Sequence, residues 1–222
     1  AILVAILFVK MPAGRDSDSK SGIIASFGRL FRNRLYRYGV VAQFFYVGAQ
    51  IGVWSFTIRI VMQELGVLEA QASTIYLITI IGFCLSRFIY TWLMKWFSPA
   101  KLLLAGGVLS TLMTAVVVLG AGSGWLLLVA LVLIRFFISL LFPTIYGLSL
   151  GGVAQSEHPD DAKLGASGLI MAILGGALLT PLQGLVSDNR SIYMSYIIPA
   201  ICFVVVTLFA AYAVKTNKRV YA

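Results

Sequence analysis

The sequence predicts an all-α, polytopic membrane helical bundle, on three observations. Hydrophobic residues fill 60% of the 222 positions and charged residues only 11%, where a soluble domain averages about 45–50% and about 25%. The apolar residues gather in runs of spanning length, about 20 residues each. The basic residues gather between those runs, and on one side of them. This pattern excludes a soluble enzyme, a disordered tail and a DNA-binding domain. The net charge of +9 reads as loop charge, with no nucleic acid partner. Cys84 and Cys202 both lie in apolar runs and read as small buried hydrophobes, with no disulfide or metal site.

The runs lie at about Tyr38–Met62, Ala72–Phe97, Leu102–Ala121, Trp125–Leu150, Leu164–Val186 and Ile192–Val214. Backbone polar groups in a bilayer must be satisfied internally, so these are helices. The period-2 alternation of a transmembrane barrel is absent. Ahead of them, AILVAILFVK (1–10) is half a span long and lacks the basic start and cleavage site of a signal peptide. It reads as the end of a transmembrane helix that begins upstream. Residues 11–37 read as a cytoplasmic linker. MPAGRDSDSKSG is polar; then Ile23, Ile24, Phe27, Leu30, Phe31 and Leu35 recur at helical spacing among Arg29, Arg32 and Arg34. That amphipathic helix suits either the inner leaflet or other cytoplasmic protein. Residues 38–214 are then a six-helix transmembrane domain, and 215–222 a cytoplasmic tail.

The loop charges set the orientation. With the linker inside, thirteen of the seventeen basic residues fall on the cytoplasmic side: Lys10 to Arg37, then Lys95, Lys101, Lys163, Lys215, Lys218 and Arg219. The other side holds Arg190. This is a strong positive-inside asymmetry. Trp96, Trp125, Tyr193 and Tyr212 lie near span ends, at interface depth.

The spans differ in polar content. Leu102–Ala121 and Ile192–Val214 carry only scattered Ser and Thr and read as lipid-facing. In the first span Gln43, Tyr46, Gln50 and Trp54 share one helical face. Two amides and two aromatics suit a polyhydroxylated ligand, since amides bond hydroxyls and rings cover C–H faces. Interhelical hydrogen bonding suits them equally. Gly48 and Gly52 form a GxxxG packing pair. Arg59 lies near the outer end of this span, able to snorkel.

In the second span Thr79, Phe83, Arg87 and Thr91 form an i+4 row, with Arg87 near mid-span. A charge there costs at least about 2.5–3.5 kcal/mol on insertion scales. Arg87 therefore calls for a partner or a water-filled cavity. In the fourth span Arg135, Ser139, Phe142, Tyr146 and Ser149 fall on one face, and Pro143 should kink the helix. In the fifth, Gly168, Ala172, Gly176, Thr180 and Gly184 form a seam of small residues. Gly175, Gly176 and Pro181 make that helix bendable.

The acids lie outside the membrane core: Glu64, Glu69 and Asp188 at span ends, Glu157, Asp160 and Asp161 in a loop. Arg87 and Arg135 thus have no acid within a span, and proton coupling normally needs a buried Asp, Glu or His. The single histidine, His158, sits in QSEHPDDAK, which reads as a solvated loop with Pro159 breaking any helix. HExxH, GxSxG and Walker A patterns are absent. The chain reads as a carrier and not as an enzyme; a channel built from several copies is the remaining class.

Four blocks carry a family resemblance. VAQFFYVGAQIGVWSF (41–56) resembles the seventh-helix signature of the fucose permease family of the major facilitator superfamily. SRFIYTWLMKWFSPAK (86–101) resembles its eighth helix and following loop, and FPTIYGLSLG (142–151) and LGGALLTPLQGLVSD (174–188) its tenth and eleventh helices. The likeness runs from about Phe27 to Phe209. It implies the C-terminal six-helix half of a twelve-helix transporter, with an N-terminal half upstream and residues 1–10 ending helix six. It implies a sugar–proton symporter in a bacterial inner membrane, working by alternating access, with a proton gradient and no cofactor. Arg87 matches the eighth-helix arginine that contributes to the family's central cavity. The family's coupling carboxylates lie in its N-terminal half. One departure stands out: the family pattern has Gln-Tyr before the tenth-helix Pro-Thr, and this chain has Leu141-Phe142. The tyrosine hydroxyl is lost at Phe142, so glucose, galactose or another sugar fits as well as fucose. Arg135 has no counterpart in the pattern. The expected substrate contacts are Arg87, Gln43, Gln50, Phe83, Phe142, Tyr46, Trp54 and Arg135.

Overall fold

The structure, a computed structural model, describes residues 20–120, 122–151, 153 and 159–220. The expected helix end at 1–10, the linker up to residue 19, and Glu157 with His158 lie outside them. The described residues form α1 (Lys20–Arg32), α2 (Arg34–Leu65), α3 (Glu69–Leu93), α4 (Pro99–Leu119), α5 (Trp125–Ile138), α6 (Leu141–Gly151), α7 (Pro159–Met171), α8 (Leu174–Asn189), α9 (Ile192–Ser195) and α10 (Ile197–Val220). Among them are six stretches long and apolar enough to cross a membrane: Arg34–Leu65, Glu69–Leu93, Pro99–Leu119, Trp125–Gly151, Asp161–Asn189 and Ile192–Thr216. They match the six expected runs.

Local chemistry sets the ends. Asn33 separates α1 from α2: its Oδ1 accepts from the N–H of Leu35 at 3.0 Å and of Tyr36 at 3.3 Å, two donors that a helix start leaves without partners. At the far end of α2, Gly66 adopts φ +62° and its N–H returns to the Met62 carbonyl, a left-handed cap that favours glycine. Between α5 and α6 the helix breaks at Ser139–Leu140. Pro143 is the cause: it offers no N–H to the Ser139 carbonyl four residues back, and its ring crowds it. A second break separates α7 from α8 at Ala172–Ile173, bridged by tight i+3 bonds such as Gly175 N–H to Ala172 O at 3.0 Å.

α2 is the hub, packing against α8, α10, α6 and α3. α4 pairs with α10 and α5, and α3 leans on α5. The core runs through α2, α4, α5, α6 and α10, with Tyr46, Val53, Ile60, Leu103, Leu131, Ile138 and Phe203 in it. α4 and α10 expose Leu109, Leu112, Val204 and Leu208, as lipid-facing helices should. The least covered spans are α3 and α8, however. α3 exposes Ile78, Ile81, Leu85, Phe88 and Trp92, and α8 exposes Leu174, Leu178, Leu182 and Leu185.

The α2–α8 contact is a glycine seam. A Cβ on Gly48 would strike Leu179, one on Gly52 would strike the Gln183 amide, and one on Gly176 would strike Ile51. The tightest approach is at Gly175, outside the expected i+4 row, where a Cβ would strike the backbone of Phe44.

The linker helix corrects one expectation. α1 packs on α7 of this same chain, with Leu30 buried against Tyr36, Val153 and Leu169. Phe27 and Phe31 remain exposed. The segment read as a broken loop starts a helix at Pro159, since proline suits the first helical turn, where its missing N–H would have no partner. Asp161 is buried there and accepts from Arg29 Nε at 2.8 Å and Nη2 at 2.7 Å. These bonds hold the Arg29 guanidinium above its ordinary pKa. Cys84 corrects another: it is exposed on α3, and only Cys202 is buried.

Candidate substrate pathway

Six of the eight expected site residues fall into two aromatic clusters around α2, and Gln43 and Gln50 join neither. The first joins α2, α3 and α5. Arg87 stacks over Phe83, its Cζ 5.1 Å from the ring centroid. Phe83 meets Trp54 edge to face at 5.6 Å. Arg135 lies behind Trp54, 5.9 Å from its centroid. The second cluster joins α2 to α6, where Tyr46 and Phe142 tilt against each other at 6.2 Å.

Arg87 is exposed on the uncovered face of α3. It has no acid partner among the described residues, and its guanidinium rests on the Phe83 ring. Such a stack contributes about 0.5–1 kcal/mol at an exposed site, well short of its cost inside lipid. Phe83 is 9% exposed and supports the guanidinium from within. Thr79 and Thr91 complete the row, each hydroxyl returning to its own helix, on Tyr76 O and Arg87 O.

The α2 stripe holds as one face. Tyr46 is buried and its hydroxyl donates to the Ile138 carbonyl at 2.8 Å, next to the break before α6. Gln50 and Trp54 are half-buried. Gln43 is 0% exposed and neither amide atom has a partner; the Trp54 Nε1 and Thr180 Oγ1 are likewise unpartnered. A buried polar group left so costs about 1–3 kcal/mol.

Arg135 corrects the expectation of a wall residue. It is 1% exposed. Its guanidinium carbon sits 4.2 Å from the Tyr76 centroid, and Nη2 donates to Thr57 Oγ1 at 3.2 Å. It therefore backs Trp54 and does not line open space. The expected single face with Ser139, Phe142, Tyr146 and Ser149 is also split, because the helix breaks within it. Ser139 meets Ser86 of α3 at 2.6 Å, Phe142 turns to Tyr46, and Ser149 lies against Gly39 of α2.

Two groups escaped the sequence reading. Tyr76 stacks on Arg135 from one residue off the i+4 row of α3, so the row pattern hid it. Glu64, read only as lying outside the membrane core, accepts from Tyr193 Oη at 2.6 Å and from the N–H groups of Gly122 at 3.2 Å and Gly124 at 2.5 Å. It ties α2 to the α4–α5 turn and to α9.

Comparison with known proteins finds sugar transporters. The chain is 38% identical over 223 residues to the L-fucose-proton symporter of Escherichia coli, covering 97% of this chain and 49% of that protein. In sequence and in fold, the chain is similar to about half of this symporter. The crystal structure of a variant of the Escherichia coli fucose:proton symporter superposes with a TM-score of 0.82 at 37% identity, covering 96% of this chain and 52% of that one. A putative glucose/galactose transporter of Helicobacter pylori strain J99 is 33% identical over 86% of this chain and 46% of its own length. No protein-family model matches the chain. The chain spans about half the length of these relatives, and its fold matches the C-terminal six-helix half of that symporter. It is a multi-pass membrane protein, and these relatives are transporters.

Proposed function

We propose that this chain supplies one wall of the pathway of a sugar–proton symporter that works by alternating access. An N-terminal six-helix half covers the exposed faces of α3 and α8 and holds the proton-coupling carboxylates. Arg87, Phe83, Trp54, Gln50 and Phe142 form this wall, with the fully buried Gln43 and Tyr46 behind it, and Arg135 positions Trp54. The basic end of the bundle, with the 11–37 linker and the 215–222 tail, faces the cytoplasm across a bacterial inner membrane. The observation that carries the reading is the cation–aromatic chain Arg87–Phe83–Trp54 on an uncovered membrane helix. Rings meet the C–H face of a sugar, and the guanidinium and the Gln50 amide meet its hydroxyls.

The test is uptake of labelled L-fucose, glucose and galactose by the full-length protein in proteoliposomes. Arg87→Lys keeps the charge but loses the planar fork, and should weaken apparent affinity roughly tenfold, the scale of a lost charge-assisted hydrogen bond. Arg87→Ala should abolish uptake while the protein still inserts. Normal uptake by Arg87→Ala would overturn the assignment.

The sugar itself is tested at Phe142. A hydrophobic wall discriminates weakly between hydroxyl patterns, and a hydrogen-bonding one strongly. Phe142→Tyr should therefore reorder competition among fucose, glucose and galactose. An unchanged order would remove Phe142 from the site.

A further inference from the structure

We propose that a groove between α2 and α10, at the basic end of the bundle, is a binding site for an anionic phospholipid. The groove holds about 370 Å³ and is lined by Tyr38, Val41, Val205, Leu208, Phe209 and Tyr212. Val205 to Tyr212 spans roughly 10 Å along α10 at the helical rise, so the groove is a slot parallel to the membrane normal. Val41 is 45% exposed and Leu208 65%, so the slot opens sideways, away from the buried Gln43 on the opposite side of α2. In a membrane-spanning bundle, what lies against such a slot is acyl chain.

One end of the slot is polar. Tyr38 and Tyr212 meet edge to face at 5.1 Å, and phenols at a helix end occupy headgroup depth. Arg37 places its guanidinium 5.5 Å from the Tyr38 ring centroid and is exposed. Arg34, one turn before Tyr38, and Lys215, nearly one turn beyond Tyr212, are exposed as well. No acid occurs in residues 34–41 or 205–216. The pattern is an apolar slot for a chain, a tyrosine pair at the glycerol level, and unopposed cations above it. A basic pocket between membrane helices of this kind recognises an anionic headgroup. The groove between α4 and α10 makes the contrast. Lined by Val108, Thr111, Leu112, Val204, Thr207 and Leu208, it holds about 160 Å³ and has no tyrosine on its walls.

The experiment is native mass spectrometry of the full-length protein, titrated with dioleoyl phosphatidylglycerol or dioleoyl phosphatidylcholine. Phosphatidylglycerol should be retained preferentially. Arg37→Gln with Lys215→Gln should lower its affinity by more than tenfold, at about fivefold per removed surface cation, and leave phosphatidylcholine unchanged. Val41→Trp, which fills the slot and spares the second groove, should lower phosphatidylglycerol retention with both cations in place. Equal retention of the two lipids would overturn the proposal, as would a double variant that keeps the preference. Displacement of the lipid by chain-free glycerophosphoglycerol at equal concentration would also overturn it, since the site would then read phosphate alone. Both charge substitutions are at exposed positions, so the test stands even where Val41→Trp fails to fold.

Discussion

Arg135 is a cation whose surroundings are rings and a hydroxyl. Burying a charge costs several kcal/mol even after relaxation. A desolvated stack on an aromatic face returns about 2 kcal/mol or more, and the Thr57 bond about 1.5–3 kcal/mol. The balance leaves little net stabilisation, so Arg135 is better explained by what it holds than by what it stabilises. Arg135→Met keeps volume and removes the charge. Its Tm should hold, or rise by about 2–4 °C, the shift that roughly 1 kcal/mol gives in a chain this size, while uptake falls at least tenfold as Trp54 loses its backing. Thermal unfolding and uptake on the same preparation would check this; a fall in both would make Arg135 a structural residue only. At this scale the α2 stripe was legible, because spacings of three and four fix one face whatever the neighbours are. The place of Arg135 between Tyr76 and Trp54 was not, because a residue's spacing says nothing of which rings pack on it.

At the scale of elements, the breaks and the seam govern how helices meet. Pro143 was legible as a kink, which the chain places four residues earlier, where the bond is lost. Pro159 was misread, because proline stops a helix that reaches it and starts one that begins there. The glycine row was legible as a seam, but its tightest member, Gly175, lies off the row, since the break at Ala172–Ile173 resets the phase. Gly175→Ala sets a methyl group against the Phe44 backbone, which no rotamer change relieves. It should cost about 1–3 kcal/mol, the range for overpacking. Gly147, in α6, has nothing within 4 Å of an added Cβ. There the same substitution should gain up to about 1 kcal/mol from helix propensity. Thermal unfolding of the two variants in one detergent would separate them, and equal shifts would refute the seam.

For the whole molecule, the six spans were legible because bilayer thickness fixes the length of an apolar run. Which span packs on which was not, because a helical period names a face and not its partner. The attachment of α1 is the clearest case, since Arg29 and Asp161 are 132 residues apart in sequence. Asp161→Arg should release α1 from α7 and speed amide exchange across Lys20–Arg32. Asp161→Arg with Arg29→Asp should restore slow exchange. Hydrogen exchange read by mass spectrometry would show it, and unchanged protection in the single variant would mean that Leu30 alone holds the helix.

The Gly175–Phe44 contact also limits which movements the bundle can make. A joint between side chains can ratchet, because each rotamer offers another resting place. A joint between two backbones has no such alternatives. Sliding α8 by one turn would bring Met171 or Leu179 against the Phe44 carbonyl, and neither fits where glycine barely does. Translation along the α2 axis is therefore closed, and rotation about the point of contact stays open. The seam works as a fulcrum: small tilts of α8 at Gly175 become large excursions at Asn189, some 20 Å away at the helical rise.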